Sequence, residues 1–289
     1  MTSLNSNGNF LSDHLFSLSY GLRNSTKINQ SSFQVDRNAL LFYAIRNNNF
    51  DIVYYLMNYA KKNNINMNII DSHGTTPLHF AYKNNFGKIL EYLLSVLNIN
   101  QKDRNGNTLL HCTIEDNNIK WMTKLIHLGA NVNSINYYGN SILDGAIAKG
   151  DFNLLMQLLK SNRLRIQGFN ERGYTPIISV LLSKKFNLKN KEIIITQFIN
   201  KGTNLNIVGE DNKTPISYAL KYKYANIISL LINNGANINV LEFKNNDITF
   251  TNLQDLIENN QLDIIKLVLD HNLNININMQ NESNGNTLL

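Results

Sequence analysis

Apolar residues along this chain come in short bursts separated by polar stretches, and the bursts alternate between two forms. The first opens on a turn and a hydroxyl residue: Gly74-Thr75-Thr76-Pro77-Leu78-His79-Phe80-Ala81. It returns as Gly106-Asn107-Thr108-Leu109-Leu110-His111-Cys112-Thr113, then as Gly139-Asn140-Ser141-Ile142-Leu143, Gly173-Tyr174-Thr175-Pro176-Ile177 and Asn212-Lys213-Thr214-Pro215-Ile216. The second form carries apolar residues at i, i+1, i+4 and i+5, a helical stripe. Its copies include Asp51-Ile52-Val53-Tyr54-Tyr55-Leu56, Lys120-Trp121-Met122-Thr123-Lys124-Leu125-Ile126 and Asp263-Ile264-Ile265-Lys266-Leu267-Val268-Leu269. A third phrase closes the period, as in Gly129-Ala130-Asn131-Val132-Asn133, Gly202-Thr203-Asn204-Leu205-Asn206 and Gly235-Ala236-Asn237-Ile238-Asn239.

These phrases predict a pair of helices per period. Thr76, Thr108, Thr175 and Thr214 stand where a hydroxyl accepts from an orphan N–H at a helix start. Pro77, Pro176 and Pro215 follow at the first helical position, where a missing N–H is harmless. Leu78, Leu110, Leu143 and Ile177 are expected to point inward. Ala44, Ala81, Ala146 and Ala219 are small enough for helices to approach. Gly129, Gly202 and Gly235 match the residue after a helix, where left-handed geometry is common. The Thr/Ser positions step by 32, 33, 34 and 39 residues from Thr76 to Thr214, with weaker copies at Ala39, Thr251 and Thr287.

A period near 33 with Thr-Pro-Leu-His, a Leu-rich second helix and Gly-Ala-Asn-Ile-Asn resembles the ankyrin repeat family. The resemblance runs from about Asp36 to Leu289. It implies an all-α solenoid of about seven helix-turn-helix repeats, joined by short extended arms and bearing a concave groove. Each repeat then touches only its neighbours, and stacking supplies the core. Residues 1–35 do not match. Phe10, Leu11, Leu15, Phe16, Leu18 and Leu22 fit either a capping helix or a mobile tail. Residues 36–289 form the expected stack, whose last repeat, from Gly285, is incomplete; the natural chain is expected to continue past Leu289.

Composition narrows the function. The 289 residues are 43% hydrophobic and 17% charged, enough to bury a core. The single cysteine, Cys112, rules out an internal disulfide and fits a reducing compartment. No signal peptide and no membrane-span window is evident. Cytoplasm or nucleus is the expected location, with delivery into another cell left open. Asparagine is very abundant and sits mostly between apolar segments, where its side chain can close turns and tolerate left-handed backbone; the excess itself is ascribed to coding bias. Zinc-ligand spacing, a phosphate loop and a nucleophile-elbow serine are all absent from the sequence, so no metal, cofactor or catalysis is expected.

By the resemblance, His79 and His111 orient backbone between repeats. Asp144, Ile178 and Ser217 replace that histidine, and their repeats are expected to lack its hydrogen bond. The resemblance also puts partner contacts on the arm tips, here His73, Arg104, Tyr137, Tyr138, Glu171, Arg172 and Asp211. The exposed side of the first helices adds Phe80, Cys112, Ser179 and Tyr218. Aromatic and arginine side chains anchor interfaces best, which favours Tyr137, Tyr138, Arg172 and Tyr218, followed by Arg104, His73 and Phe80.

The net charge of +6 permits an acidic partner without demanding one. Arg46, Lys83, Lys149, Lys184, Lys185, Lys221 and Lys223 fall near the turn between the helices of a pair. In a regular stack they would line one edge, which Lys189 and Lys191 would extend. The expected function is a monomeric scaffold or adaptor that binds another protein. Two rivals are the N-terminal recognition region of a longer enzyme, channel or ubiquitin-ligase adaptor, and a nucleic-acid or acidic-surface binder using the lysine-rich edge.

Overall fold

A computed structural model describes residues 30–209, 213–237, 241–244, 247–251, 257 and 262–270. Within these, helices pair as the repeat phrases predict. The pairs are α1 (Gln30–Arg46) with α2 (Phe50–Lys62), α3 (Pro77–Lys83) with α4 (Gly87–Val96), and α5 (Leu109–Glu115) with α6 (Ile119–His127). They continue as α7 (Ile142–Lys149) with α8 (Phe152–Leu159), α9 (Pro176–Leu182) with α10 (Leu188–Asn200), and α11 (Pro215–Lys221) with α12 (Ala225–Asn233). An antiparallel hairpin of β1 (Leu241–Lys244) and β2 (Asp247–Thr251) follows, then α13 (Leu262–Asp270), which packs on α12. The all-α reading holds for the stack; the hairpin is an addition the periodicity did not announce, and Thr251 closes its second strand. The N-terminal segment 1–29, with its expected apolar cap, and the incomplete repeat from Gly285, with Thr287, lie outside the described residues.

The chain divides into two compact units, residues 1–97 and 98–289. In the first, α1 packs on α3 and α2 on α4. Phe50, Tyr54 and Tyr92 form a ring cluster between α2 and α4, with centroids 5.3–6.2 Å apart, and the Lys88 ammonium lies 3.9 Å from the Phe50 centroid. Burial, and then the nearby Tyr54, push the Tyr92 phenol above its ordinary pKa. In the second unit, first helices pack on first helices (α5 on α7, α9 on α11) and second helices on second (α6 on α8, α10 on α12). Leu78, Leu110, Leu143 and Ile177 are buried, as are Ala44, Ala81, Ala146 and Ala219.

The helix starts follow the expected chemistry. Thr76, Thr175 and Thr214 are N-caps ahead of Pro77, Pro176 and Pro215, and their hydroxyls accept from the N–H groups of His79, Ile178 and Ser217 at 3.3–3.5 Å. His79 Nδ1 lies 2.7 Å from Thr76 Oγ1. His111 Nδ1 accepts from Thr108 N at 3.0 Å and sits 2.9 Å from its hydroxyl. The expectation that Asp144 loses this bond is corrected. Its carboxylate accepts from both Ser141 N (3.0 Å) and Ser141 Oγ (2.6 Å), while Ser141 Oγ accepts from Asp144 N (3.1 Å). A short acid at the third helical position closes the same reciprocal box as the imidazole. Ser217 keeps a side-chain bond too, 3.0 Å from Thr214 Oγ1. Gly129, Gly202 and Gly235 take positive φ, as expected of helix ends.

Asparagine closes turns, caps helices and bridges repeats, as its place between the apolar segments predicts. Asn48, Asn85 and Asn117 take the left-handed position in the turn between paired helices, a slot held later by Gly150 and Lys223. Asn49, Asn118 and Asn187 cap second helices. Asn100, Asn133 and Asn206 accept through Oδ1 from backbone N–H groups one repeat on, at Asn131, Arg165 and Asn237, over 2.7–2.9 Å.

Asp151 caps α8: Oδ1 accepts from Leu154 N and Oδ2 from Asn117 Nδ2, both at 2.8 Å. The Leu154 bond, then the Asn117 bond, hold its carboxyl below the ordinary value, against a smaller opposing effect of burial. A carboxyl whose pKa is lower folded than unfolded contributes stability above the unfolded value, and loses it as pH falls through the folded one. Asp151→Ala is therefore expected to cost about 1 kcal/mol at neutral pH. The gap to wild type should close as the solution is acidified below roughly pH 4. Urea unfolding of both proteins across that range checks this; a gap independent of pH would refute it.

Candidate protein-interaction surface

Among the described residues, one turn is built four times at the ends of the arms between repeats. Its first residue is Asp71, Asp103, Asn136 or Asn170. The side-chain Oδ1 of that residue accepts from the N–H groups two and four positions on, at 2.8–3.1 Å. The backbone N–H of that first residue donates to the carbonyl of the fifth, at 2.9–3.0 Å. The fourth residue is glycine each time, with φ between 67° and 82°. A short acceptor side chain and a left-handed glycine are what this turn requires. The second and third residues are left at the apex: Ser72-His73, Arg104-Asn105, Tyr137-Tyr138 and Glu171-Arg172. The Asx-x-x-Gly spacing was legible in the sequence and would have identified the turn-forming residues that the repeat phrases missed.

In the first unit, His73 is exposed, with Nδ1 3.9 Å from Asp71 Oδ2. Phe80 is half-buried under Phe42 (centroids 6.2 Å apart, edge-on) and the Arg46 guanidinium (5.9 Å), so much of its ring is spent on internal packing.

In the second unit, consecutive arms are tied together. Tyr137 N donates to Asn105 O at 3.0 Å, Asn136 Nδ2 donates to Asn107 Oδ1 at 3.0 Å, and Lys102 Nζ donates to Ile135 O at 2.8 Å. The Tyr137 backbone and ring base lie directly over Gly106, where a Cβ would come within 2.6 Å of Tyr137 N and 2.7 Å of the ring. Lys102 Nζ is 5.4 Å from the ring centroid. Tyr137 is thus held from behind and still 70% exposed, beside Tyr138 at 63%. Arg104 and Arg172 are exposed on the flanking arms, and Asn140 Nδ2 reaches Glu171 Oε2 at 3.5 Å. The structure so brings Arg104, Tyr137, Tyr138 and Arg172 onto three successive arms. Asp211 lies outside the described residues.

Tyr218 does not belong to this surface. It is 4% exposed and meets Tyr174 edge-on, centroids 6.3 Å apart. Its place on the first helix turns the ring towards the neighbouring repeat, and Cys112 in the matching place is buried as well.

The basic edge is also revised. Lys149 Nζ donates to Glu115 O at 2.7 Å, and Lys185 Nζ donates to Ala148 O and Lys149 O, its stem lying over Gly150. Each ammonium caps the C-terminal carbonyls of the preceding first helix, where orphan acceptors and the helix dipole favour a cation. Arg163 does the same for α6 at Ile126 O (2.7 Å), and Lys201 donates to Ser161 O just past the end of α8 (2.9 Å). Lys191 is 4% exposed, donating to Leu181 O and Tyr224 Oη, and so adds no charge to the edge. Lys184, Lys221 and Lys223 remain exposed, and Arg46 and Lys83 are exposed in the first unit.

A family model described as "Ankyrin repeats (3 copies)" matches residues 13–103 and 186–281, and one described as "Ankyrin repeat" matches residues 105–137. The chain is similar to the phosphocholine transferase AnkX of Legionella pneumophila, at 25% identity over 218 residues, covering 71% of this chain and 22% of that protein. It also resembles alpha-latroinsectotoxin-Lt1a of Latrodectus tredecimguttatus (28% over 137 residues; 47% of this chain, 9% of that protein) and the ankyrin repeat-containing protein kinase A of Dictyostelium discoideum (42% over 76 residues; 25% and 5%). It therefore spans less than a quarter of the length of these relatives. Among solved structures, the ankyrin repeat domain of Bcl-3 superposes with a TM-score of 0.60 at 19% identity, over 80% of this chain and 97% of that one. An ankyrin repeat domain from Acinetobacter baumannii gives 0.55 at 22% identity, over 68% and 98%. These last two likenesses concern the fold alone.

Proposed function

The chain belongs to the ankyrin repeat family, and from that premise we propose that it is a non-catalytic adaptor module that binds another protein through the arm tips of its second unit. The observation that carries this reading is the built-in presentation of Tyr137. Its backbone is bonded to the preceding arm and its ring base is seated on Gly106, yet most of the ring faces solvent. An exposed aromatic held rigid in the free protein loses little entropy on binding, which is the property of an interface anchor.

Affinity capture from source-cell lysate with nuclease added tests the proposal. A Tyr137/Tyr138/Arg172→Ala variant is compared with wild type after matching thermal stability. A protein held by wild type should be lost from the variant, since truncating anchors of this kind costs about 2 kcal/mol or more. Retention by both proteins would refute the assignment.

A second reading shares the same surface: the chain serves as the recognition region of a longer protein. The much greater length of the relatives it matches favours this. Sequencing the transcript downstream of Leu289 tests it, and a stop codon there would end it. The nucleic-acid reading loses support, because the ammonium groups of Lys149 and Lys185 already serve backbone carbonyls.

A further inference from the structure

The tip row of the second unit has a chemistry of its own, and on the reading that it is the binding surface, we propose that its partner is an acidic peptide segment with an apolar residue between its acids. Arg104 and Arg172 are exposed, and among the described residues no carboxylate lies within 4.0 Å of either guanidinium. The acids on the same arms are turned elsewhere. Asp103 Oδ1 accepts from the backbone N–H groups of Asn105 and Asn107, and Glu171 Oε2 accepts from Asn140. Lys102 stands behind Tyr137, its ammonium already donating to Ile135 O. Along the chain the apex order is Arg104, Asn105, Tyr137, Tyr138, Glu171 and Arg172, so two aromatic rings stand between two cations, with the one acid of the row bonded to Asn140.

That order selects a ligand. A guanidinium pairs best with a carboxylate, through two parallel hydrogen bonds. Two exposed tyrosine rings between the arginines suit an apolar or aromatic side chain, and would leave a run of acids alone uncontacted at its centre. An extended peptide carrying acids on both sides of one apolar residue satisfies both at once. A nucleic-acid strand fits less well. It gains affinity from many phosphate contacts, and this row offers two exposed guanidinium groups.

Fluorescence anisotropy on the full chain provides the test. One probe is a labelled peptide of aspartate and glutamate around a single phenylalanine. A second has every acid replaced by its amide, a third has glycine for the phenylalanine, and a fourth is a thymidine oligonucleotide of equal charge. The acidic phenylalanine peptide should bind, and the amide version should bind about tenfold more weakly. R104E combined with R172E should cost a similar factor, and should gain binding to a peptide with lysine in place of the acids. Both sites are exposed, and a melting curve confirms that the variant is folded. Tyr137→Ala with Tyr138→Ala should abolish the preference for phenylalanine over glycine. Equal binding of the acidic and amide peptides, indifference to the arginine reversal, or tighter binding of the oligonucleotide would each overturn the proposal. The lysate partner separates the two levels. If the tyrosine changes release it and R104E with R172E does not, the tip-binding reading stands and the acidic one falls; if neither variant releases it, both fall.

Discussion

Replacing Phe198 by alanine should destabilise the second unit by about 3–5 kcal/mol, the largest effect expected of any single truncation in this chain. Phe198 has no exposed surface and lies on α10, which packs against α8, α9 and α12. The loss combines the transfer free energy of a benzyl group with the cavity left among helices of three consecutive repeats. In a stack where each repeat touches only its neighbours, a weak link does more than lower the total, because it uncouples what lies on either side. The urea slope should therefore fall along with the midpoint, as one transition gives way to two. Hydrogen exchange should show α10 to α12 losing protection while α5 to α7 retain theirs. Phe169→Ala is the control: its ring is half exposed, and its loss should change stability by no more than about 0.5 kcal/mol. Similar losses for both variants, or uniform loss of protection, would contradict this account.

Gly106→Ala should be the more informative lesion, because it links backbone geometry to binding. Gly106 and Gly139 occupy the same place in successive arm turns, with φ of 78° and 82°. A side chain at either costs about 1–2 kcal/mol for left-handed backbone. They differ in what a Cβ would meet. At Gly139 nothing lies within 4 Å; at Gly106 the Cβ would stand 2.6 Å from the backbone nitrogen of Tyr137. Backbone cannot swing aside as a flexible side chain can, so overpacking should add roughly 1–3 kcal/mol at Gly106 alone. The displaced arm would also carry Tyr137 out of the row. Thermal melts should rank wild type above Gly139→Ala above Gly106→Ala, and only the Gly106 variant should weaken capture of the partner. Equal melting losses at the two sites would show that strain alone matters there.

Much of this molecule follows from its own local pattern. The hydroxyl-proline starts at Thr76, Thr175 and Thr214, the glycine ends at Gly129, Gly202 and Gly235, and the inward Leu78, Leu110 and Ile177 depend on backbone φ, hydrogen-bonding stereochemistry and which face of one short helix is apolar. Those properties are written within a few consecutive residues, so the sequence alone determines them. The apex positions of the arms are determined in the same way, since Asx-x-x-Gly sets the turn that exposes Tyr137, Tyr138, Arg104 and Arg172.

What lies opposite a side chain is another matter, because the partner stands about one repeat away along the chain. Tyr218 and Tyr137 are the same residue type in equally plausible places, yet one is buried beside Tyr174 and the other rides over Gly106 into solvent. Lys184 and Lys185 are adjacent, and only Lys185 finds the carbonyls of Ala148 and Lys149. Lys191 is polar by type and buried by position, because Leu181 O and Tyr224 Oη are there to receive its protons. Asn133 reads as a loop residue until the backbone of Arg163 and Arg165 comes into reach. The sequence by itself determined the repeat, its caps and its turns. Only the tertiary structure decided which charges and rings remain for a partner, because an ammonium or a phenol is spent or spared by the acceptors and surfaces that stacking brings within about 3–4 Å of it.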